Sequence, residues 1–298
     1  MKPISWSSKS LARWRVVGRS LLPPIMLPAA RAALAWAGVS PPVPSKPRLE
    51  FAPDGWDTPL AGGANGWDTD AVTQAEEIRW GAFCSNAAGT TPLGFARDAA
   101  GPSAVRSLMP HNLHMSFAYA VALASAGRSR VSVLDWGGAL GHYAIIARAL
   151  FPAMTFDYSC REVPRIVQLG QRLNPGVHWF DGDQCLDQTY DLVMVSGSLQ
   201  CMQNWREFLS RAAAAVATGR YFLLTRVPVV SGPGFVAIQR VHGTEVLHQQ
   251  LNERELLDQM RDAGLHLVRE LLVGDRPSIV NAPEQCELKG WLFTRLAE

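Results

Sequence analysis

The chain has 298 residues, 48% of them hydrophobic and 18% charged, with a net charge of only +2. That composition supports a sizeable packed core and excludes a globally disordered chain. The five cysteines are odd in number and lack metal-knuckle spacing, which excludes a disulfide framework and fits a reducing compartment.

The charge is unevenly placed. Residues 1–49 hold Lys2, Lys9, Arg13, Arg15, Arg19, Arg31, Lys46 and Arg48, and the first acid is Glu50. An arm of net +8 on an acidic body predicts an anionic partner, either a lipid surface or nucleic acid. SLLPPIMLPAA, residues 20–30, is broken by Pro23, Pro24 and Pro28 and is too short to span a bilayer. Three readings of the arm stay open: a targeting signal, a solvated tail, or a peripheral membrane arm that dips Trp6, Trp14, Leu21 and Leu22 into the interface. VSPPVPSKP, residues 39–47, reads as a proline-rich linker.

Residues 50–107 are weakly patterned and read as a helical N-terminal cap. GWDT occurs at 55–58 and again at 66–69 without an evident chemical role, and 71–83 reads as a helix. From 111 the pattern sharpens into a helix that stops at Gly127 and a buried strand over 131–135. A helix follows from His142 and ends before Pro152, then a strand over 154–160 and a helix opened by Pro164. Strands over 177–180 and 190–196, a helix over 204–217 and a strand over 221–229 complete the alternation. Asn252 with Glu255 signals a helix start, and Gly264 closes that helix. LHLVRELLV and GWLFTRL are expected to pair antiparallel at the sheet edge. Strand–helix alternation predicts an α/β, doubly wound, mostly parallel sheet, with ligands at the carboxyl ends of its strands.

VSVLDWGGALGHY, residues 131–143, lies at such an end. A P-loop needs Gly-Lys-Ser/Thr, and the turn ends Gly141-His142-Tyr143. A dinucleotide fingerprint fails from either starting glycine. The pattern that fits is acid-x-Gly-x-Gly/Ala-x-Gly, carried by Asp135, Gly137, Ala139 and Gly141. It resembles the first motif of class I S-adenosylmethionine-dependent methyltransferases. HNLHMSFAY, LDWGGALGHY, the SGSLQ segment, TRVPV, AIQR, LNERE and APEQ are similar to a group of bacterial methyltransferases of surface-polysaccharide and natural-product gene clusters. The likeness covers roughly residues 108–298, and that group usually has a glycine where Ala139 stands.

The resemblance implies a seven-stranded Rossmann-like sheet over 108–298 and S-adenosylmethionine as cofactor. It implies Gly137, Gly138 and Gly141 around the amino-acid end of the cofactor, with Asp135 toward its ammonium. Of the acids near the end of the next strand, Asp157 and Glu162, the REVP context favours Glu162 for the ribose hydroxyls. Asp183 is the expected adenine contact, and Ser196 a further cofactor contact. SGSLQCMQNW lacks the Asn/Asp-Pro-Pro-Tyr/Phe of nucleic-acid amino-methyltransferases, so a nucleic-acid acceptor is not expected. Where some O-methyltransferases place a histidine base, Gln203 stands here.

Among seven histidines, His114 is the expected base, with His111, His142, His242 and His248 as alternatives; Arg226 is the expected clamp for an acidic acceptor. No metal site is expected. These expectations add up to cytoplasmic O-methylation of a small-molecule or glycan hydroxyl, with residues 1–49 in peripheral contact with the inner membrane face. N- or C-methylation of a metabolite, and a non-catalytic cofactor-binding role in a glycan assembly complex, stay open as alternatives. The sequence does not indicate the oligomeric state.

Overall fold

Two β-branched apolar runs form the middle of the sheet. In this computed structural model, which describes residues 48–60, 66–95, 107–241 and 243–296, β1 (Arg48–Phe51) is followed by the helices α1 (Asp70–Ala88) and α2 (Leu108–Ala124). Then come β2 (Arg130–Trp136), α3 (His142–Leu150), β3 (Thr155–Arg161), α4 (Pro164–Leu173), β4 (His178–Phe180), β5 (Tyr190–Ser196) and α5 (Trp205–Ala214). The chain continues through β6 (Val216–Val230), β7 (Phe235–Val241), β8 (Thr244–Asn252), α6 (Glu253–Asp262), β9 (Leu265–Asp275), β10 (Ile279–Val280) and β11 (Glu287–Arg295).

β2 and β5 pair in parallel, Val133 opposite Leu192 and Trp136 opposite Val195. Both are buried on two faces, which is why they read as unbroken apolar runs rather than alternating ones. β3 and β4 extend the sheet in parallel on one side and β6 on the other. β11 then pairs antiparallel with both β6 and β9. The order β4-β3-β2-β5-β6-β11-β9 reverses direction between β2 and β5, so the switch point lies at the carboxyl end of β2. One core cluster packs Ile146, Tyr158 and Phe117 on one face, and a second packs Trp205, Leu209 and Phe222 on the other.

Local chemistry sets the helix starts. The Thr69 hydroxyl accepts from the Val72 amide at 3.4 Å and opens α1, and the Asn252 side chain accepts from the Glu255 amide at 2.9 Å and opens α6. Gly264, at φ +79°, ends α6. The second GWDT copy is thus the N-cap of α1, while the first forms a 3-10 turn at Gly55–Asp57.

The sheet differs from the expected seven strands. β6 continues to Val230 and pairs in parallel with β8, and the further order β8-β7-β1-β10 adds four strands. β1 is antiparallel to β7, so Arg48 and Leu49 are strand residues and not linker. The expected cap region therefore contributes a strand as well as a helix. The helix expected over 204–217 ends at Ala214, because Val216 already pairs with Tyr190. The arm readings for residues 1–47 lie outside the described residues.

Candidate active site

The glycine turn joins β2 to α3. Gly137, Ala139 and Gly141 have φ of +73°, +52° and +70°. A Cβ on Gly137 would lie against Ser198 Cβ and 2.7 Å from its Oγ, and one on Gly138 would press on the Asp135 carboxylate and Cys160 Sγ. The turn therefore needs glycine at 137 for both its conformation and its packing, and at 138 for packing alone. Asn174 pins the turn from the end of α4, donating to Leu140 O at 3.1 Å and Gly141 O at 3.3 Å.

Asp135 is 1% exposed and lies beneath the turn, where its Oδ2 accepts from Tyr158 Oη at 2.9 Å. Its carboxylate lies against Gly138 of the turn, where a Cβ would meet it. Burial and the Asp135 charge push the Tyr158 hydroxyl well above its usual range, so it stays a donor. Glu162, half-buried just past β3, accepts from the Ala139 amide at 3.0 Å and from the Val163 amide at 2.8 Å. Of the two sequence candidates only Glu162 is at the carboxyl end. Asp157 pairs with Arg130 toward the amino end of β3, and that hydrogen bond holds its carboxyl below the usual range.

Ser196 ends β5, buried, with its Oγ 3.0 Å from Thr225 Oγ1 and 3.4 Å from Tyr143 Oη. Asp183, in the 3-10 turn Asp183–Asp187 after β4, pairs with Arg211 at 3.1 Å and lies 3.6 Å from Arg161. Arg161 in turn covers the Trp136 ring at 4.5 Å.

His114 departs from the expected base. It sits on the buried stripe of α2 with Leu113, Phe117 and Val121. Its Nδ1 is 2.6 Å from Leu93 O and its ring packs against Phe83, Phe95 and Tyr143. Helical periodicity thus makes it a core histidine. His142 is also buried, edge-on to Trp80 and Phe83 and 3.5 Å from Glu76. His242 lies outside the described residues.

Arg226 is where the structure concentrates strain. It has φ +57°, and three steps of β6, Leu224 to Val227, face two of β11, Trp291 to Lys289. This is a β-bulge, a device that re-aims a side chain beside a site. Gly290 makes it feasible, since a Cβ there would meet Thr225 Cγ2 at 3.1 Å. The guanidinium is turned over Gly197, whose missing Cβ would be 3.2 Å from Arg226 Cζ.

Sequence reasoning passed over Gln250, Trp67, Cys201 and Asp68, and held His248 only as an alternative base. β8 packs on the turn Leu199–Cys201, and its His248 and Gln250 are buried and 2.8 Å apart, Nδ1 to Nε2. Burial, and then the Arg226 charge, hold His248 down to about 4, so its ring is neutral at physiological pH. Trp67 Nε1 donates to Cys201 Sγ at 3.4 Å, and burial pushes the Cys201 thiol up to about 11. Asp68 accepts from the Arg165 amide, so the second GWDT copy is fixed beside the start of α4. Among the described residues, no group of three or more His, Cys, Asp or Glu side chains is placed to hold a metal.

A protein-family model described as "Methyltransferase domain" matches residues 109–270. No curated protein matches the chain in sequence. Among solved structures, the chain is similar to 1,6-didemethyltoxoflavin-N1-methyltransferase of Burkholderia thailandensis, at 20% identity and a TM-score of 0.43, over 62% of this chain and 79% of that one. It is also similar to an amino pentose methyltransferase of Micromonospora echinaspora, at 16% identity and 0.42, over 62% and 91%. A third likeness is to an S-adenosylmethionine-dependent methyltransferase of Methanosarcina mazei, at 10% and 0.44, over 57% and 95%. At these scores the likenesses say nothing about the acceptor of this chain.

Proposed function

Because the chain belongs to the methyltransferase-domain family, we propose that it transfers a methyl group to a hydroxyl of a small molecule or glycan. S-adenosylmethionine is the donor, and it supplies a methyl already activated on a sulfonium. The observation that carries the reading is the turn itself: three left-handed residues with no side chain larger than a methyl, and the Glu162 carboxylate on the Ala139 amide beside them. Gly137, Gly138 and Gly141 would admit the amino-acid end, and Glu162 would receive the ribose hydroxyls. Asp135, beneath the turn, would face the ammonium, Ser196 at the tip of β5 would be a further cofactor contact, and Asp183 would meet the adenine amine.

The acceptor side lies at the carboxyl ends of β5 and β6, with Arg226 and His248. There the protein mainly has to align a nucleophilic oxygen with the methyl at roughly 3–3.5 Å. The hydroxyl is supported by the likeness of SGSLQCMQNW to the corresponding O-methyltransferase segment, in place of a nucleic-acid amino-methyltransferase signature. The acid-free arm, with seven cations in residues 1–47, is suited to hold the enzyme at the inner membrane face.

Calorimetry with S-adenosylhomocysteine tests the cofactor site, and a screen of hydroxyl and amine acceptors with S-adenosylmethionine tests the reaction. Methylated alcohols support the proposal. Turnover of amines alone would replace it with N-methylation, and binding without any turnover would make the chain a cofactor-binding partner.

A further inference from the structure

The second GWDT copy does more than open α1. Residues 66–70 are tied to three separate elements. The Thr244 hydroxyl, on β8, donates to Gly66 O at 3.1 Å. Trp67 Nε1 donates at 3.4 Å to Cys201 Sγ, in the turn that follows β5. Asp68 Oδ1 accepts from the Arg165 amide at 3.0 Å, and Asp70 pairs with the Arg165 guanidinium, at the start of the helix that follows β3. Thr69 then caps α1, which Glu76 on His142 and Glu77 on Arg172 fasten further along.

Those anchors fix where the segment runs. β2 lies between β3 and β5 in the sheet. The turn Leu199–Cys201 follows the carboxyl end of β5, and α4 follows the carboxyl end of β3. Neighbouring strands stand roughly 4.8 Å apart, so β3 and β5 are separated by about 9.6 Å. Two adjacent residues bonded to both sides must therefore cross the carboxyl end of β2, where the glycine turn begins. The charges agree, since the Cys201 thiol lies in the fields of both Glu162 and Arg226. The Trp67 ring is half-buried against the core cluster that holds Phe83, Leu140 and Ile166. The crossing is held by single hydrogen bonds and one exposed ion pair, and elements that admit ligands are drawn from such weakly held parts of a fold.

Building on the methyl-transfer reading above, we propose that residues 66–70 are a strap across the donor site, with Trp67 and Asp68 as positioning residues that hold it closed over bound S-adenosylmethionine. The cofactor enters and leaves when the strap lifts off Cys201 and Arg165. The strap then sets the rate of exchange, and the glycine turn and Glu162 set the affinity. Weakening the strap enlarges the open population and leaves the cofactor's own contacts in place, so association and dissociation both quicken.

The test is surface plasmon resonance on the immobilised full chain, with S-adenosylhomocysteine as the probe. Trp67→Phe keeps a ring and loses the donor to Cys201, and Asp68→Ala loses the acceptor for the Arg165 amide. Each is expected to raise the association and dissociation rate constants together by about fivefold, leaving Kd within about twofold. Asp68→Asn keeps an acceptor and should return both rates to within about twofold of the original. Thr244→Val releases the Gly66 tie from a different element and should act in the same direction; it decides if thermal denaturation shows that Trp67→Phe is unfolded. Labelling of Cys201 by a thiol reagent, read by peptide mass spectrometry, should be faster in Asp68→Ala and slowed by S-adenosylhomocysteine. Rate constants within about twofold of the original in every variant would make the segment a structural tie and overturn this inference alone, whatever the change in Tm. Faster dissociation with unchanged association would also overturn it, making Trp67 and Asp68 plain cofactor contacts. Failure of the unaltered chain to bind S-adenosylhomocysteine overturns the methyl-transfer reading, and the strap's role falls with it.

Discussion

Gly137→Ala tests the turn most directly. The backbone there has φ +73°, a conformation that costs an L-residue about 1–2 kcal/mol. The new methyl would also press on the Ser198 side chain, 2.7 Å from Oγ. Ser198 cannot easily yield, because its Oγ donates to Trp136 O at 2.8 Å and it leads into the buried Leu199. Overpacking of this kind adds about 1–3 kcal/mol. The total is about 2–5 kcal/mol, a large share of a typical domain stability. For a chain of this size it corresponds to a fall in Tm of roughly 3–10 °C. Thermal denaturation followed by near-UV circular dichroism measures the shift, and calorimetry with S-adenosylhomocysteine measures the site. Ala139→Gly is the internal control. Ala139 already has φ +52°, so removing its methyl relieves left-handed strain while adding unfolded-state freedom, and the two nearly cancel. Ser198→Gly placed on Gly137→Ala removes the contact but not the strain, and should recover about half of the loss. A Gly137→Ala protein with Tm within about 2 °C of the original would refute the account of the turn.

Glu162→Gln should weaken S-adenosylhomocysteine binding about tenfold to a hundredfold, the usual effect of losing charge at a hydrogen-bonded carboxylate. Asp157→Asn should leave that affinity and the stability nearly unchanged, since the Asp157–Arg130 pair is exposed; equal losses in the two variants would show that the acids were assigned wrongly. His248 is neutral when folded down to about pH 4 and titrates near 6.5 when unfolded, so the unfolded chain binds the extra proton as pH falls. Its contribution is complete above pH 6.5 and declines by about 3 kcal/mol toward pH 4. Urea midpoints from pH 4 to 7 should therefore fall more steeply for the unaltered chain than for His248→Gln, and parallel slopes would contradict that. The basic arm should sediment the full chain with phosphatidylserine vesicles at low salt and release it at high salt. A version lacking residues 1–49 that sediments equally well would remove the arm from membrane contact, though loss of strand residues Arg48 and Leu49 makes a cut at 46 the cleaner comparison.

The central sheet was legible because each of its strands is buried in one continuous run. VSVLD and YDLVMVS need no alternation when helices cover both faces, and Pro164, Asn252 and Gly264 mark helix ends by local chemistry. The added strands were not legible for the converse reason. TEVLHQQLN buries Val246, His248 and Gln250, so two of the three side chains that face inward are polar and the alternation does not read as a core face. SGPG at 231–234 and the Gly at 243 were the available turn signals. RLEF is four residues beside prolines, and it becomes a strand only because β7 supplies a partner 190 residues away. His114 misled because residue type suggested chemistry where the 3.6-residue period already placed it inside. Trp67 and Cys201 are 134 residues apart, a distance that no local pattern crosses.

Arg226 links the two halves of this molecule. A strand residue with φ +57° costs about 1–2 kcal/mol, and glycine or asparagine would hold the same bulge more cheaply. Retaining a long cation there is therefore costly unless its side chain is used. The bulge breaks the strand's alternation and turns the guanidinium over Gly197, itself left-handed at φ +72° and bare of the Cβ that would obstruct it. Gly290 on the facing strand makes the same accommodation from the other side. Beyond the bulge β6 leaves the parallel core and, at Val229 and Val230, picks up β8, which carries His248 and Gln250 back over the same point. The strain, the two glycines and the added sheet all converge on one guanidinium at the carboxyl ends of β5 and β6. The carboxyl ends of the strands are where an open α/β sheet binds its ligands.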